Sequence, residues 1–316
     1  MTEKYIIMDV DTGVDDSMAL MLAGACKDLH ILALTCTYGN NEVEKTTRNT
    51  QKIAELLGID APVAMGAVRP MIDPPMDFSG GLGPMIHGLD GLGNVGDRLQ
   101  EPVHPVSELK APDLMAEVIR KAPEMVTIVA TGPLTNVAAF LLSWPELADK
   151  VELIALMGGA AYGGNLAFTV EANIGHDPEA AAVVFHSSIP KVVFGLDVTM
   201  GVYITDEERV AMAEKSAVGA FMKDCLQPYA DTYRQLANWP GAVLHDSLPV
   251  AWLIDPDTVT LKPVVIDIEL NGRLNRGATV CDFNSNHTAD TNTLIAMQAD
   301  REKIIALHLE AAGHYQ

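Results

Sequence analysis

Short apolar or β-branched runs alternate with helix-like segments and glycine-rich corners along this 316-residue chain. Strands are predicted at residues 4–10, 31–37, 126–131, 151–157, 191–196, 264–270 and 279–283. Helices are predicted to follow several of them, notably over residues 134–143 and 178–186. This order is typical of an α/β protein with a Rossmann-like, mostly parallel central sheet flanked by helices. Ligands of such folds bind beyond the carboxyl ends of the strands, where we expect the active site.

One stretch departs from this alternation. Residues 69–96 are rich in proline and glycine and have little periodicity, so they are predicted to form a long loop that can move over a site. No internal repeat, low-complexity tract or linker-like composition divides the sequence. Residues 1–316 are therefore interpreted as a single domain.

Four aspartates stand where the first predicted strand passes into the first predicted helix, namely Asp9, Asp11, Asp15 and Asp16. Strand geometry points Asp9 and Asp11 to one face, and a turn through Gly13 can bring the other two back toward them. Because like charges repel, protonation, helix-terminal amides or a bound cation must compensate for them. A cation is the leading hypothesis. The alternative is that Asp15 or Asp16 caps the helix while the other two are solvated.

Convergent carboxylate oxygens suit a hard ion such as Ca²⁺ or Mg²⁺. A soft-metal site is disfavoured, because the cysteines have neither zinc-type nor redox-pair spacing. They are Cys26, Cys36, Cys225 and Cys281, and we interpret them as reduced structural residues.

The composition of the chain indicates which kinds of partner it can bind. The chain has 42 acidic and 21 basic residues, a formal net charge of −21, which disfavours nucleic acid. A 48% share of apolar residues supplies a substantial core. The N-terminus lacks a signal-peptide pattern, and no apolar run reaches the roughly 18 to 20 residues of a membrane span. We therefore expect a cytoplasmic protein without a membrane partner that acts on a small molecule.

Polar residues recur where the predicted strands end. Any one of them alone is more often a turn residue. Together, asparagine and glutamate side chains beside a cation suit the paired hydroxyls of a sugar. They include Asn40, Thr131, Asn136, Asn165, Glu171 and Asn173.

A histidine and an aspartate, His245 and Asp246, follow a Pro-Gly turn late in the chain. An isolated pair of this kind is more often structural. Beside a cation site, however, Asp246 can serve as a distant carboxylate ligand, and His245 can transfer a proton near neutral pH.

In this order the residues resemble the inosine-uridine-preferring nucleoside hydrolase family. Its motif Asp-x-Asp-x-Gly-x-Asp-Asp is matched by residues 9–16. The resemblance covers nearly the whole chain. Its later blocks are Gly39-Asn40, His87-Gly88, residues 130–136, Met157-Gly158-Gly159, Asn165, Glu171, Asn173, Asp177-Pro178-Glu179, His245-Asp246 and residues 276–280.

The resemblance implies hydrolysis of the N-glycosidic bond of purine or pyrimidine ribonucleosides to ribose and free base, in nucleoside catabolism and salvage. It implies one Ca²⁺ per subunit and a homodimer or homotetramer. Asp11 would be the general base that takes a proton from a calcium-bound water. The implied metal ligands are Asp11, Asp16, the main-chain carbonyl of Thr131, and Asp246. The implied ribose contacts are Asp15, Asn40 and Asn173 at the 2′ and 3′ hydroxyls, Asn165 and Glu171 at the 5′ hydroxyl, and Met157.

The chemistry is consistent with these residue types. Cleavage at an anomeric carbon passes through an oxocarbenium-like state, which anionic groups beneath the sugar stabilise. The base departs as an anion unless it is protonated, and general acid help is worth about 10² to 10⁴ in rate. His245 is the candidate acid.

The base end of the site is less certain from the sequence. Ala172 stands where many relatives have an aromatic residue, so this wall is expected to be wider or rebuilt from elsewhere. Tyr229 and Tyr233, four apart on a predicted helix, and Trp239 either stack on the base or belong to a core or an interface. His87 either contacts the base or ribose or faces solvent.

Two other functions were weighed. A haloacid-dehalogenase-type phosphatase is suggested by Asp9-Val10-Asp11 and Mg²⁺, but Gly13 stands where that motif expects Thr or Val. A calcium-dependent nucleoside-binding protein without catalysis is the other alternative, and the presence of Asp11 and His245 disfavours it.

Overall fold

A central eight-stranded sheet organises the chain, which a computed structural model describes for residues 3–74, 76, 78, 82–284 and 286–315. The strands are β1 (Lys4–Val10), β2 (Leu29–Cys36), β3 (Val63–Met65), β4 (Val126–Ala130), β5 (Val151–Met157), β6 (Lys191–Phe194), β7 (Tyr203–Ile204), β8 (Ala242–Val243), β9 (Val259–Pro263), β10 (Val265–Ile268), β11 (Thr279–Asp282) and β12 (Thr293–Ala299). The sheet order is β3-β2-β1-β4-β5-β6-β12-β9, and every pairing is parallel except that of β12 with β9.

Helices cover both faces of this sheet. They are α1 (Val14–Ala25), α2 (Val43–Leu57), α3 (Leu82–His87), α4 (Ala111–Lys121), α5 (Thr135–Ser143), α6 (Ala172–His176), α7 (Pro178–Phe185), α8 (Leu196–Thr199), α9 (Asp206–Ala213), α10 (Ala217–Ala237), α11 (Ser247–Ile254) and α12 (Arg301–His314). Short 3-10 helices span Gly96–Arg98, Pro145–Lys150 and Pro256–Thr258.

Alternation along β1 divides the core into two layers. Ile6 and Met8 pack in the layer that contains α1, α10 and α12, whereas Ile7 packs with α4, α5 and α7 on the other face. All three side chains are fully buried, as a central parallel strand requires. The start of α1 is thereby held above the carboxyl end of β1.

The predicted fold class is confirmed. Residues 4–10 and 151–157 form strands with the predicted bounds, and the helix predictions differ by one residue at one end. Strands do form within the predicted ranges 264–270 and 279–283, but they lie outside the central sheet, because β10 and β11 form a separate antiparallel pair. The residues of β10 alternate between exposed and buried, which fits a sheet with one solvated face. The short β3 and the C-terminal β9 and β12 were missed.

Part of the predicted loop at residues 69–96 is helical. It contains α3 and the 3-10 turn at Gly96–Arg98, while residues 75, 77 and 79–81 lie outside the described residues. The loop's mobility stays a prediction. No helix in the described ranges is long and apolar enough to cross a membrane. The cysteines form no disulfide.

Candidate active site

The carboxyl ends of the central strands surround a cavity of about 330 Å³. Most of the side chains singled out in the sequence line it. They are Asp15, Asn40, His87, Thr131, Met157, Asn165, Glu171, Asn173, His245 and Asp246. Asp11 and Asp16 lie against these residues and are almost fully buried. The structure therefore brings together residues that are scattered over more than two hundred positions of the sequence.

The turn from β1 into α1 fixes the position of Asp16. Its Oδ2 accepts a hydrogen bond from Gly13 N at 2.9 Å, and its Oδ1 accepts one from Thr131 Oγ1 at 2.7 Å. Asp16 thus caps α1, as the alternative interpretation held. That interpretation is wrong about the other aspartates, because Asp9 and Asp11 are buried and not solvated.

Asp9 is set apart from the other three carboxylates. Its Oδ1 accepts hydrogen bonds from Thr35 Oγ1 at 2.6 Å and Asn136 Nδ2 at 2.9 Å. Burial raises the pKa of Asp9 to about 7. Asp9 therefore ties β1 to β2 and to the start of α5.

Three carboxylates converge in a geometry that can hold a metal ion. One oxygen each from Asp15, Asp16 and Asp246 lies within 4.8 Å of the others. Burial, followed by repulsion from Asp15, Asp16 and Asp11, raises the pKa of Asp246 well above its usual range. Oδ1 of Asp11 and Oδ1 of Asp15 are buried without a hydrogen-bond partner among the described residues. A hard cation at this point would satisfy these oxygens and relieve the repulsion.

The converging set differs from the predicted ligands in one member. Asp15, predicted to bind ribose, joins Asp16 and Asp246, whereas Asp11 lies beside this set. The predicted ligand carbonyl of Thr131 accepts a hydrogen bond from Asn173 Nδ2 at 2.8 Å. The assignment of individual ligands stays a prediction.

Asp11 is held from one side by the segment that follows β2. Its Oδ2 accepts a hydrogen bond from Asn40 N at 2.7 Å. Gly39 has a φ of +154°, and a Cβ there would lie 2.1 Å from Asp11 Oδ2, so this close approach requires glycine. Burial and the charge of Asp16 raise the pKa of Asp11 well above its usual range. Oδ2 of Asp11 is thus held by a hydrogen bond, whereas its Oδ1 has no hydrogen-bond partner among the described residues.

The predicted sugar-binding residues are held by backbone groups. Glu171 caps α6 and accepts hydrogen bonds from the backbone N–H groups of Gly159, Asn173 and Ile174. Asn173 Nδ2 also donates to the carbonyl of Met157 at 3.1 Å. These bonds fix the orientation of the side chains at the cavity wall, which suits recognition of a rigid hydroxylated ring.

A hydrogen-bonded series of Thr199, His245 and Tyr233 lies beside Asp246. His245 Nε2 lies 2.7 Å from the hydroxyl of Tyr233, and His245 Nδ1 lies 2.7 Å from Thr199 Oγ1. Burial lowers the pKa of His245 to about 4, so the ring is neutral near pH 7. Thr199, on the four-residue α8, was missed because no sequence pattern links it to His245.

Two of the three aromatic residues singled out in the sequence line the cavity, and their contact with a base stays a prediction. Tyr229 and Tyr233 line the cavity, and Tyr229 donates to Asp15 Oδ2 at 3.3 Å. Trp239 instead donates its ring N–H to the Met200 carbonyl, and it is absent from the cavity lining within the described part of the chain.

His87 belongs to the site and does not face solvent. It is 6% exposed, and its Nδ1 accepts a hydrogen bond from Val14 N at 3.2 Å. Burial, with the nearby His245, lowers the pKa of His87 to about 3. Around Ala172 the cavity wall also includes side chains that sequence reasoning did not single out. They are Met76, Phe78, Ile86, Leu166 and His176.

Known proteins resemble this chain over its whole length. Residues 6–306 match the family described as inosine-uridine preferring nucleoside hydrolase. Pyrimidine-specific ribonucleoside hydrolase RihA from Citrobacter koseri is 37% identical over 315 residues, covering 98% of both chains. A purine-preferring ribonucleoside hydrolase from Gardnerella vaginalis has a TM-score of 0.91 and 31% identity, over 98% of this chain and 99% of that one. A plant nucleoside hydrolase, PpNRh1, has a TM-score of 0.90 and 29% identity over the same shares.

Proposed function

Because this chain belongs to the inosine-uridine preferring nucleoside hydrolase family and is a nucleoside-hydrolysing enzyme, we propose that it cleaves ribonucleosides to ribose and free base with Asp11 as general base. The observation that carries the proposal is one cavity that adjoins both the buried carboxylate cluster and the Tyr233–His245 pair. Relatives named for pyrimidine specificity and for purine preference support both substrate classes. The family favours hydrolysis over the phosphatase and binding-protein alternatives.

Calcium is the cation that we assign to the carboxylate cluster. The donor set consists of oxygens, and at this site Asp11 Oδ1 and Asp15 Oδ1 are buried without a hydrogen-bond partner among the described residues, which favours a hard ion. Asp16 and Asp246, with Asp11, Asp15 and the Thr131 carbonyl, would hold it. When bound, calcium supplies charge neutralisation and orients water and the ribose hydroxyls.

Asp11 removes a proton from the attacking water in this proposal. Its Oδ2 is anchored by Asn40 N, which leaves Oδ1 to accept the proton. The buried carboxylates beneath the sugar also stabilise the positive charge that develops at the anomeric carbon. Asn173, Glu171 and Asn165 hold the ribose hydroxyls in place.

Protonation of the departing base runs through Tyr233. We assign the Thr199 hydroxyl as the donor to His245 Nδ1, which places the proton of the neutral ring on Nε2, where it donates to the Tyr233 oxygen. The Tyr233 hydroxyl then donates its proton to the departing base, the Nε2–H of His245 stabilises the resulting tyrosinate by a hydrogen bond, and a proton from solvent restores the hydroxyl after the base has left. His245, the predicted acid, thus acts through a neighbour.

Disrupting the hydrogen bonds among Thr199, His245 and Tyr233 should slow hydrolysis most for substrates with poor leaving groups. His245→Ala and Tyr233→Phe are expected to lower kcat on natural nucleosides by about 10² or more, because general acid help is lost. On an activated nitrophenyl riboside, which needs no protonation, the loss should stay below about tenfold. Steady-state kinetics on both substrates tests this. Equal losses on both would mean that His245 is structural or binds ribose.

Thr199 is expected to set the proton position on His245. Thr199→Val, which keeps the shape but loses the hydroxyl, should lower kcat on nucleosides about tenfold, the worth of one hydrogen bond near 1.4 kcal/mol. Thr199→Ser should restore the rate, and KM should change little in either variant. A loss that serine does not rescue would assign Thr199 to packing alone.

The function is tested by chromatographic detection of free base from purified protein and a panel of ribonucleosides. Matched 2′-deoxynucleosides serve as controls, because they lack a hydroxyl that the site is proposed to hold. Base release from ribonucleosides supports the proposal and ranks the substrates. Tight binding without product would favour the binding-protein alternative.

We also propose a cytoplasmic homodimer or homotetramer with one calcium ion per subunit. Support comes from the family resemblance. Analytical ultracentrifugation measures the assembly, and a sedimenting species of one chain would contradict it.

A further inference from the structure

A second cavity of about 460 Å³, here called the side chamber, adjoins the reaction cavity. Its walls come from residues 162–165, from α8 and from the last turns of α10. Ile86, Asn165 and Tyr233 line both cavities, so a group bound at these residues can reach either one. The proposed reaction leaves the side chamber without a role.

The side chamber lies beside Tyr233, the proposed donor to the base. Tyr233, on α10, and Thr199, on α8, both contact His245, and the same two helices form most of the chamber wall. Of the two residues proposed to contact the 5′ hydroxyl, Asn165 lines both cavities, whereas Glu171 lines the reaction cavity alone. The chamber is thus continuous with the helices that position the proposed donor to the base, so a substituent on the base can enter it.

The chamber lining selects for apolar groups. Leu196, Met200 and Leu236 line it, and the side chain of Leu236 is 62% exposed. Both carboxylate oxygens of Asp197 already accept hydrogen bonds, from Ala161 N at 2.6 Å and Tyr162 N at 2.9 Å. Because the acid at its edge is engaged, the chamber offers apolar surface that a ligand can cover.

We propose that the side chamber binds an apolar substituent on the leaving base, so that the substrate class includes ribonucleosides with an alkylated or arylated base. This proposal rests on the proposed function, since it takes the Tyr233–His245 end as the base site. Burial of the substituent against Leu236 and Met200 adds affinity to that of the nucleoside itself.

Calorimetric titration with Ca²⁺ present, carried out in the Asp11→Asn background so that the probes are not hydrolysed during the experiment, measures binding directly. The probes are uridine and 5-benzyluridine, adenosine and N6-benzyladenosine, and 5′-benzylthio-5′-deoxyuridine, which carries the same ring on the sugar. At least one base-benzylated nucleoside should bind about tenfold more tightly than its parent, from burial of part of the ring. A gain confined to the sugar-substituted probe, or none at all, overturns the proposal.

Two variants separate the chamber from the rest of the protein. Leu236→Asp should bring the benzylated probe to within about twofold of its parent, with the parent's affinity unchanged. Leu142→Asp is the matched control, since Leu142 is 58% exposed on α5 and should keep the full gain. If Leu236→Asp unfolds on mild heating, Ala237→Glu at the exposed end of α10 replaces it. An equal effect of Leu142→Asp overturns the proposal.

Failure of the proposed function gives a different result. In that case no nucleoside in the panel releases base, whereas the affinity ratio of benzylated to parent nucleoside still reports on the chamber. Base release from the parents with no benzyl gain leaves the proposed function standing and removes the chamber proposal.

Discussion

Asp11→Asn is expected to lower kcat by about 10³ or more while the protein stays folded, because an amide cannot take a proton from water. The variant keeps the shape of the side chain, and its amide oxygen can still accept the hydrogen bond from Asn40 N. The substitution also removes one buried charge that repels Asp16, so the unfolding temperature should stay the same or rise. Steady-state kinetics with thermal unfolding measures both effects.

The control for this experiment is a carboxylate outside the site. Asp300 caps α12 by accepting a hydrogen bond from Lys303 N, and Asp300→Asn should retain kcat. If Asp11→Asn keeps a rate within tenfold of the wild type, Asp11 is not the general base, and Asp15 becomes the next candidate because its buried Oδ1 also lacks a partner among the described residues.

Stripping with a chelator is expected to abolish turnover, and Ca²⁺ is expected to restore it. Without a cation, the buried carboxylates of Asp15, Asp16 and Asp246 repel one another, and the charge of Asp11 adds to this repulsion. Calcium should therefore also stabilise the fold, by about 4 kcal/mol at a concentration 1,000 times its dissociation constant. Thermal unfolding of the stripped protein across a calcium titration measures this independently of activity.

Variants and a second ion sharpen the calcium experiment. Asp246→Asn removes one charged donor and should weaken calcium binding by about tenfold or more, whereas Asp300→Asn should leave it unchanged. Mg²⁺ should stabilise the protein less, because it demands a smaller octahedral shell. Full activity after stripping, together with an unfolding temperature that ignores calcium, would disprove the cation hypothesis.

The corner between β1 and α1 was predictable because its signals are local. An apolar run, a glycine and a helix-forming segment follow one another, so the position of Asp11 to Asp16 at a strand end needs no long-range information. The family resemblance then supplied the remote partners, such as Asp246 and Asn173. Which carboxylate oxygens converge depends on side-chain directions after the turn, and here Asp15 lies where the prediction had Asp11.

Other features depend on packing that no local pattern encodes. Thr199 reaches His245 from a helix of one turn, too short to produce a periodic signal. The separate pairing of β10 with β11 is decided by which surface each strand covers, since a strand's preference depends on its neighbours. The side chamber arises where four segments distant in sequence meet, so the sequence alone could not reveal it.

The carboxylate cluster joins the beginning of the chain to a residue near its last quarter. Asp15 and Asp16 leave the ribosome early, whereas Asp246 follows more than two hundred residues later. Until α11 docks, the nascent protein holds an incomplete set of donors, and ion capture is a late event in its maturation. A cation bound there would join the first helix of the chain to the segment before α11.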